Sequence, residues 1–227
     1  MLTTLLQITA DTSAAAMATG PEKTTLVDLA LKGGVIMIPI AVLFVLSIYL
    51  FIERWLTIRK ASRVDKNFMR NIRDYVVTGN VEAARMLCKN TDTPIARMIE
   101  KGVLRIGKPL KNIEVAIENV GKLEIYKMEK NLATMATISG AAPMIGFLGT
   151  VTGMIRAFFQ MASNDNVVAS DLAGGIYEAM ITTAAGLAVG IIAYIGYNLL
   201  VALVEKVVYN MEATSVEFMD LLQEPAA

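Results

Sequence analysis

The sequence contains no histidine, one cysteine and one tryptophan, and aromatic residues fill only 7% of its 227 positions. Without imidazole, the commonest metal ligand and the usual general base near neutral pH are missing, so metal sites and histidine-based catalysis have little to work with. A lone thiol, Cys88, permits no internal disulfide. Together with Val81, Ala84 and Leu87 it falls on one face of a helical pattern, which makes core packing its expected role. Apolar alternation never persists and turn signals are few, so strands are not expected and the fold class reads as all-α.

Charge is also missing, but only locally. Lys plus Arg and Asp plus Glu balance at 21 each, yet every basic residue except Lys23, Lys32, Arg156 and Lys206 falls between Glu53 and Lys130. In a chain that is 55% hydrophobic, three runs stand out. Val35 to Ile52 is uncharged and interrupted only by Pro39, Ser47 and Tyr49; Leu132 to Ile155 is uncharged and rich in Gly, Ala, Thr and Met; Leu172 to Val204 carries one charge, Glu178. A helix needs about 20 apolar residues to cross a bilayer, so each run is a candidate span. At 1.5 Å per residue the third measures roughly 50 Å, more than the ~30 Å hydrocarbon core, and part of it must project into water.

No Lys or Arg occurs from Ala157 to Glu205. By the positive-inside rule the loop Asn164 to Asp171 lies outside, the basic middle segment is cytoplasmic, the N-terminus is extracytoplasmic and the C-terminus cytoplasmic. The expectation is a polytopic membrane protein with three transmembrane helices, the second and third extended into the cytoplasm, and a helical cytoplasmic domain between spans one and two. Its expected parts are an extracytoplasmic tail with an interfacial helix (1–34), span one (35–55), the cytoplasmic helical domain (56–130), span two (131–161), an outer loop (162–171), span three (172–204) and a cytoplasmic C-terminal helix and tail (205–227). The interfacial helix is Thr24 to Lys32, ahead of Gly33-Gly34, with Leu26, Leu29 and Ala30 on one side. Nothing basic precedes Lys23 and Leu5 to Ile8 is too short for a signal core, so the start reads as a mature tail.

Glu53, Arg54, Trp55, Arg59 and Lys60 mark the cytoplasmic boundary of the first span. The basic segment beyond reads as a solvated domain with no nucleic-acid role. Asn80 is expected to cap a helix running to about Lys89, and Thr93 the next, with Pro94 in its first turn. After Gly107 and Pro109, the heptad-like run Ile113, Ala116, Ile117, Val120, Leu123 and Ile125 leads into the second span, so Leu110 to about Met161 reads as one long helix. Gly102 to Lys108 matches seven positions of a phosphate-binding loop, but Pro109 stands where Ser or Thr must hold magnesium, and the match reads as coincidence.

Small residues recur at steps of three and four in the second span, at Ser139, Ala142, Gly146, Gly149 or Thr150, and Gly153, and in the third at Ala179, Thr182 or Thr183, Gly186, Gly190 and Ala193. Such spacing lets helix backbones approach closely in lipid. Pro143 frees a carbonyl inside the span that must find a partner on another helix, a hydroxyl or water. Glu178 is the costly residue, because an ionisable group within or at the edge of a span normally faces protein or a wet cavity. Thr182 follows at i+4, on the same helix face, and Thr183 points to an adjacent sector. Carboxyls and hydroxyls lining a narrow wet space can relay or orient protons; a solvated boundary position is the plainer reading of Glu178.

The segment Ala142-Pro143-Met144-Ile145-Gly146-Phe147-Leu148-Gly149-Thr150-Val151-Thr152-Gly153-Met154 resembles the second-span signature of the ExbB/TolQ branch of the MotA/TolQ/ExbB proton channel family. Glu178 to Val189, followed by Tyr197-Asn198, resembles its third-span signature. The resemblance implies a homo-oligomer, a pentamer, in the bacterial inner membrane. The second and third helices would line a pore holding single-span helices of an ExbD-like partner, which supplies the titrating aspartate. It implies Thr150, Thr183 and Glu178 as pore-lining positions, and Thr182, a hydroxyl where many relatives carry Ala, is counted with them on the ion pathway. Pro143, Gly146, Gly149, Gly153, Gly186 and Gly190 would then be packing residues. The implied work is proton-driven motion passed by a TonB-like transducer to outer-membrane transporters, with lipid contacts and no cofactor, metal, enzyme activity or nucleic acid. A TolQ-type role in envelope maintenance is the alternative. The long N-terminal tail favours ExbB, and three spans argue against the four-span flagellar stators.

Overall fold

The computed structural model describes residues 33–63, 67–163 and 169–223. Among them are seven helices and no strand: α1 (Met37–Ala61), α2 (Phe68–Val77), α3 (Val81–Asn90), α4 (Pro94–Val103), α5 (Leu110–Glu129), α6 (Leu132–Ser163) and α7 (Ala169–Gln223). The expected interfacial helix Thr24 to Lys32 and residues 164–168 of the expected outer loop lie outside the described residues. Segments within Met37–Ala61, Leu110–Ser163 and Ala173–Gln223 are long and apolar enough to cross a membrane. They coincide with the three charge-poor runs. α7 alone has 55 residues, about 80 Å of continuous helix, far more than a bilayer requires.

Two of the short helices, α3 and α4, start where capping chemistry places them. The Asn80 side chain accepts a hydrogen bond from the Ala83 amide at 3.1 Å, and the Thr93 hydroxyl accepts from the Ala96 amide at 3.3 Å, with Pro94 in the first turn, where its missing N–H costs nothing.

One expectation is overturned. The single helix from Leu110 to about Met161 is in fact two, α5 and α6, separated at Lys130-Asn131. Lys130 leaves helical geometry (φ −50°, ψ 135°) and Asn131 adopts the left-handed region at φ 67°, which Asn tolerates better than most side chains. The break is braced from α1. Arg54, only 6% exposed, donates to the Lys127 carbonyl at 3.1 Å, an acceptor in the last turn of α5. Its guanidinium also pairs with the adjacent Glu53 carboxylate, with Nε donating at 2.6 Å, and the Asn131 side chain lies near Glu53. Periodicity of apolar residues carries no sign of such a break, because the hydrophobic pattern resumes immediately after it.

The chain divides into two compact units. One comprises the described residues up to Ile40 with Met144–Gly186; the other comprises Ala41–Pro143 with the chain from Leu187 onward. The second unit holds the main hydrophobic core. Ile95, Ala96, Ile99 and Val103 of α4, Ile113 and Ile117 of α5, and Val207, Met211 and Phe218 of α7 are buried in it, each large side chain contributing roughly 1.5–3 kcal/mol. Gly102 shows how closely they meet, since a Cβ there would lie 2.6 Å from the Phe218 ring and 2.8 Å from Ile117 Cδ1. The apparent phosphate loop begins at this packed helical glycine and follows a helix. Cys88 is buried, as its helical face requires, and burial pushes its thiol up to about 12, so it is inert.

The heptad-like reading of α5 holds at Ile113, Ala116 and Ile117, with Val120 and Ile125 partly buried against the same core, and departs at Leu123, which is 61% exposed while Glu124 turns inward. Buried acids need partners. Arg97 donates to one Glu124 oxygen at 2.7 Å and Lys127 to the other at 2.7 Å; Arg97 also bonds Asp92 at 2.6 Å, and Lys60 reaches Asp92 at 2.8 Å. Burial by itself raises the Glu124 carboxyl, but the hydrogen bonds from Arg97 and Lys127 outweigh it and hold the group below its usual range. Its contribution to stability is therefore complete above the ordinary Glu value near 4.5 and is lost as pH falls through the lower folded-state value. Glu124→Ala should cost about 1.5–2 kcal/mol at pH 7, the lower part of the range for charged hydrogen bonds because Arg97 is partly exposed. In thermal unfolding of purified protein, the gap between wild type and variant should narrow as the pH is taken below 4.5.

Candidate functional site

Within the first unit, α6 and α7 touch through residues too small to hold their backbones apart. A Cβ at Gly146 would lie 2.8 Å from the Thr182 carbonyl oxygen, 3.1 Å from Gly186 Cα and 3.2 Å from Thr183 Cα. One at Gly149 would collide with the Thr182 side chain, and one at Gly153 would stand 2.9 Å from Ala179 Cβ. Gly175 meets Ala157 in the same way, at 3.0 Å. In the second unit, a Cβ at Gly190 would lie 2.5 Å from the Pro143 ring and 3.0 Å from the Ser139 carbonyl. Ser139 is four residues before Pro143, so this is the carbonyl that the proline frees. It rests directly against the α7 backbone at Gly190.

The hydroxyls sit in and beside this contact. Thr183 crosses from α7 to α6 and donates to the Gly146 carbonyl at 3.0 Å. Thr182 is 2% exposed, packs on Gly149 and donates to the Ala179 carbonyl of its own helix at 2.8 Å. Thr150, half-buried on α6, donates to the Phe147 carbonyl at 2.6 Å. It borders an open hollow of about 680 Å³ whose other walls are Val151, Met154, Ile155, Phe158 and Phe159. Glu178 is half-buried and takes a different direction: its carboxylate lies against Gly34, where a Cβ would overlap it. The structure therefore brings Thr182 and Thr183 onto α6 and keeps Glu178 apart from both, although Thr182 lies one turn along α7 from Glu178. Helical spacing places two residues near one face; what each touches is decided by which neighbour fills that sector.

Met144, Phe147, Leu148, Ile155 and Phe159 on α6 are more than half exposed, as are Met180, Ile191, Tyr194 and Ile195 on α7. Two apolar faces flanking a polar-lined helix contact suit a protein surrounded by lipid and by further helices. Among the described residues no cluster of His, Cys, Asp or Glu could hold a metal ion.

Residues 90–213 match the family described as MotA/TolQ/ExbB proton channel family. The chain belongs to this family. It is 34% identical over 183 residues to biopolymer transport protein ExbB-like 1 of Synechocystis sp., covering 78% of this chain and 71% of that protein. It is 32% identical over 170 residues to an ExbB homologue of Methanothermobacter thermautotrophicus, covering 74% and 60% respectively. Similarity to the Tol-Pal system protein TolQ of Haemophilus influenzae is 33% over 120 residues, 53% of this chain and 47% of that one. Proton channel subunits of this family are multi-pass membrane proteins that work in complexes with other proteins. The family match covers all of α6 and α7 up to Ala213, the helices that carry the small residues and hydroxyls.

Sequence reading does not reach Gly34 or the inward turn of Glu124. Gly33-Gly34 reads there only as punctuation before a span, and Glu124 sits beside an apolar Leu123 that the pattern favours. The signal available there is a paired glycine directly before an uncharged run.

The close contact separates three glycines of these helices by consequence. Gly146→Ala and Gly190→Ala must push backbone or a proline ring aside and should each destabilise by about 1–3 kcal/mol. Gly140, also in α6, has nothing within 4 Å of its Cβ position, so Gly140→Ala should be neutral or gain about 0.5–1 kcal/mol from helix propensity. Thermal stability of the three purified variants checks the ordering.

Proposed function

We propose that the chain is an ExbB-type subunit of a proton-motive-force-driven motor in the bacterial inner membrane, which with an ExbD-like single-span partner and a TonB-like transducer energises outer-membrane transport. The observation that supports this is a helix pair packed through glycines and joined by the Thr183 hydroxyl, with a single carboxylate, Glu178, in an otherwise uncharged stretch of α7. On this reading α6 and α7 of several copies, five by analogy with the family signature, surround the partner's helices. Thr150, Thr183 and Glu178 then line the route of the ion, and Thr182 lies behind them as packing. Moving one charge through 100 mV releases about 2.3 kcal/mol, so a few protons suffice to drive a conformational cycle.

The charge distribution supports a topology with the N-terminus periplasmic and the C-terminus cytoplasmic. The basic residues run from the end of α1 through α5, where the Arg59 guanidinium stacks on Trp55 at 5.0 Å as a boundary anchor. A TolQ-type role in envelope maintenance is the second reading, favoured by the similarity to the TolQ of Haemophilus influenzae. It shares the mechanism and differs in partners.

Proton-motive-force-dependent uptake of a TonB-type substrate should be lost in cells carrying Thr150→Val, Thr183→Val or Glu178→Ala, while membrane level and partner co-purification stay unchanged. Normal uptake in all three would leave a passive scaffold as the better description. A deletion strain that keeps uptake but becomes detergent-sensitive would select the TolQ role.

A further inference from the structure

The Gly33-Gly34 turn immediately before α1 has no room for side chains, and the residue that fills the space is Glu178. Gly34 adopts φ 66°, a backbone region that L side chains enter at a cost of about 1–2 kcal/mol. Independently of that strain, a Cβ at Gly34 would overlap Glu178 Oε1 and lie 3.1 Å from its Cδ. Gly33 is buried; a Cβ there would collide with Met37 and approach Ile181 Cγ2 at 3.4 Å. Glu178 and Ile181 are three residues apart on α7 and so share one face, which meets the turn. Ala179, Thr182 and Gly186 form the different face that meets α6. All of these residues belong to the first unit.

We infer that Gly34 is a positioning residue for the Glu178 carboxylate: the bare backbone of the turn is the surface on which the acid rests, and it sets the direction in which the carboxylate points. This rests on the reading of Glu178 as a group on the ion's route. Among the described residues no hydrogen bond or ion pair reaches that carboxylate. Contact with the turn is therefore what limits its orientation from this side. Any side chain at position 34 displaces the acid by about the length of the added carbon, and the start of the first span becomes a partner in the work of the third.

Two measurements test this, one of function and one of distance. Gly34→Asn keeps a residue tolerant of positive φ while adding bulk, and Gly34→Ala adds the smallest bulk. Each should reduce proton-motive-force-dependent uptake about tenfold or more, as a displacement near 1 Å does at a reacting group. Glu178→Asp withdraws the carboxylate by one methylene and makes space, so Gly34→Asn combined with Glu178→Asp should be no worse than Glu178→Asp alone. For distance, Gly34→Cys with Glu178→Cys in a Cys88→Ser background should form a disulfide on mild oxidation of membranes, detected as a linked peptide by mass spectrometry. Glu178 Cγ, close to where the new sulfur would stand, is 3.8 Å from the Cβ position at residue 34. An absent disulfide, full uptake in Gly34→Asn, or losses that simply multiply in the double variant would each overturn the inference. Full uptake in Glu178→Ala would instead remove the functional reading beneath it, while the disulfide would still report the contact.

Discussion

Backbone-to-backbone approach of α6 and α7 is the constraint on which the remaining features depend. Lipid tails offer these helices no hydrophobic reason to associate, so their contact must come from close packing and from hydrogen bonds that hydrocarbon cannot supply. Glycines at 146, 149 and 153 bring the α7 backbone near enough for a threonine hydroxyl to cross between helices. A like approach at Gly190 shelters the carbonyl that Pro143 frees, which would otherwise be exposed within an uncharged run. Larger residues along this contact would separate the helices, and both the crossing hydroxyl and the sheltered carbonyl would lose their partners.

Away from this contact the forces change. The four helices from α2 to α5 meet the end of α7 in an ordinary hydrophobic core, where apolar burial supplies most of the stability. Charged residues are numerous there and most lie at the surface. Glu124 is the exception, and its two cationic partners come from α4 and from its own helix, so that pairing satisfies the buried carboxylate and fastens α4 to α5 at once. Breaking either partner would leave a largely buried charge.

Much of this was legible without coordinates, for identifiable reasons. The three long apolar segments follow from runs of uncharged residues, and the caps at Asn80 and Thr93 follow from local side-chain chemistry that needs no tertiary context. The small-residue face was readable because the period of an α-helix maps sequence spacing onto one side of a cylinder. What could not be read were contacts whose partners are remote in the chain. Asn131 breaks a helix with the help of Glu53 and Arg54 from another element, and nothing near residue 131 announces it. Glu178 and Thr182 share a helical sector in projection, yet one meets Gly34 and the other Gly149. Periodicity specifies a direction, and only the fold specifies what stands there.

The braced break between α5 and α6 has a mechanical consequence. Had residues 110–161 formed a single rod, a tilt of α6 would swing α5 through the same angle, as a rigid lever does. A left-handed Asn131 makes an elbow of the junction, but Arg54, paired with Glu53, grips it from α1 through the Lys127 carbonyl. Flexing of the elbow is therefore tied to α1. To bend it, α1 must either travel with it or release the charge-assisted hydrogen bond from Arg54 to the Lys127 carbonyl, which makes the first span the latch of the joint.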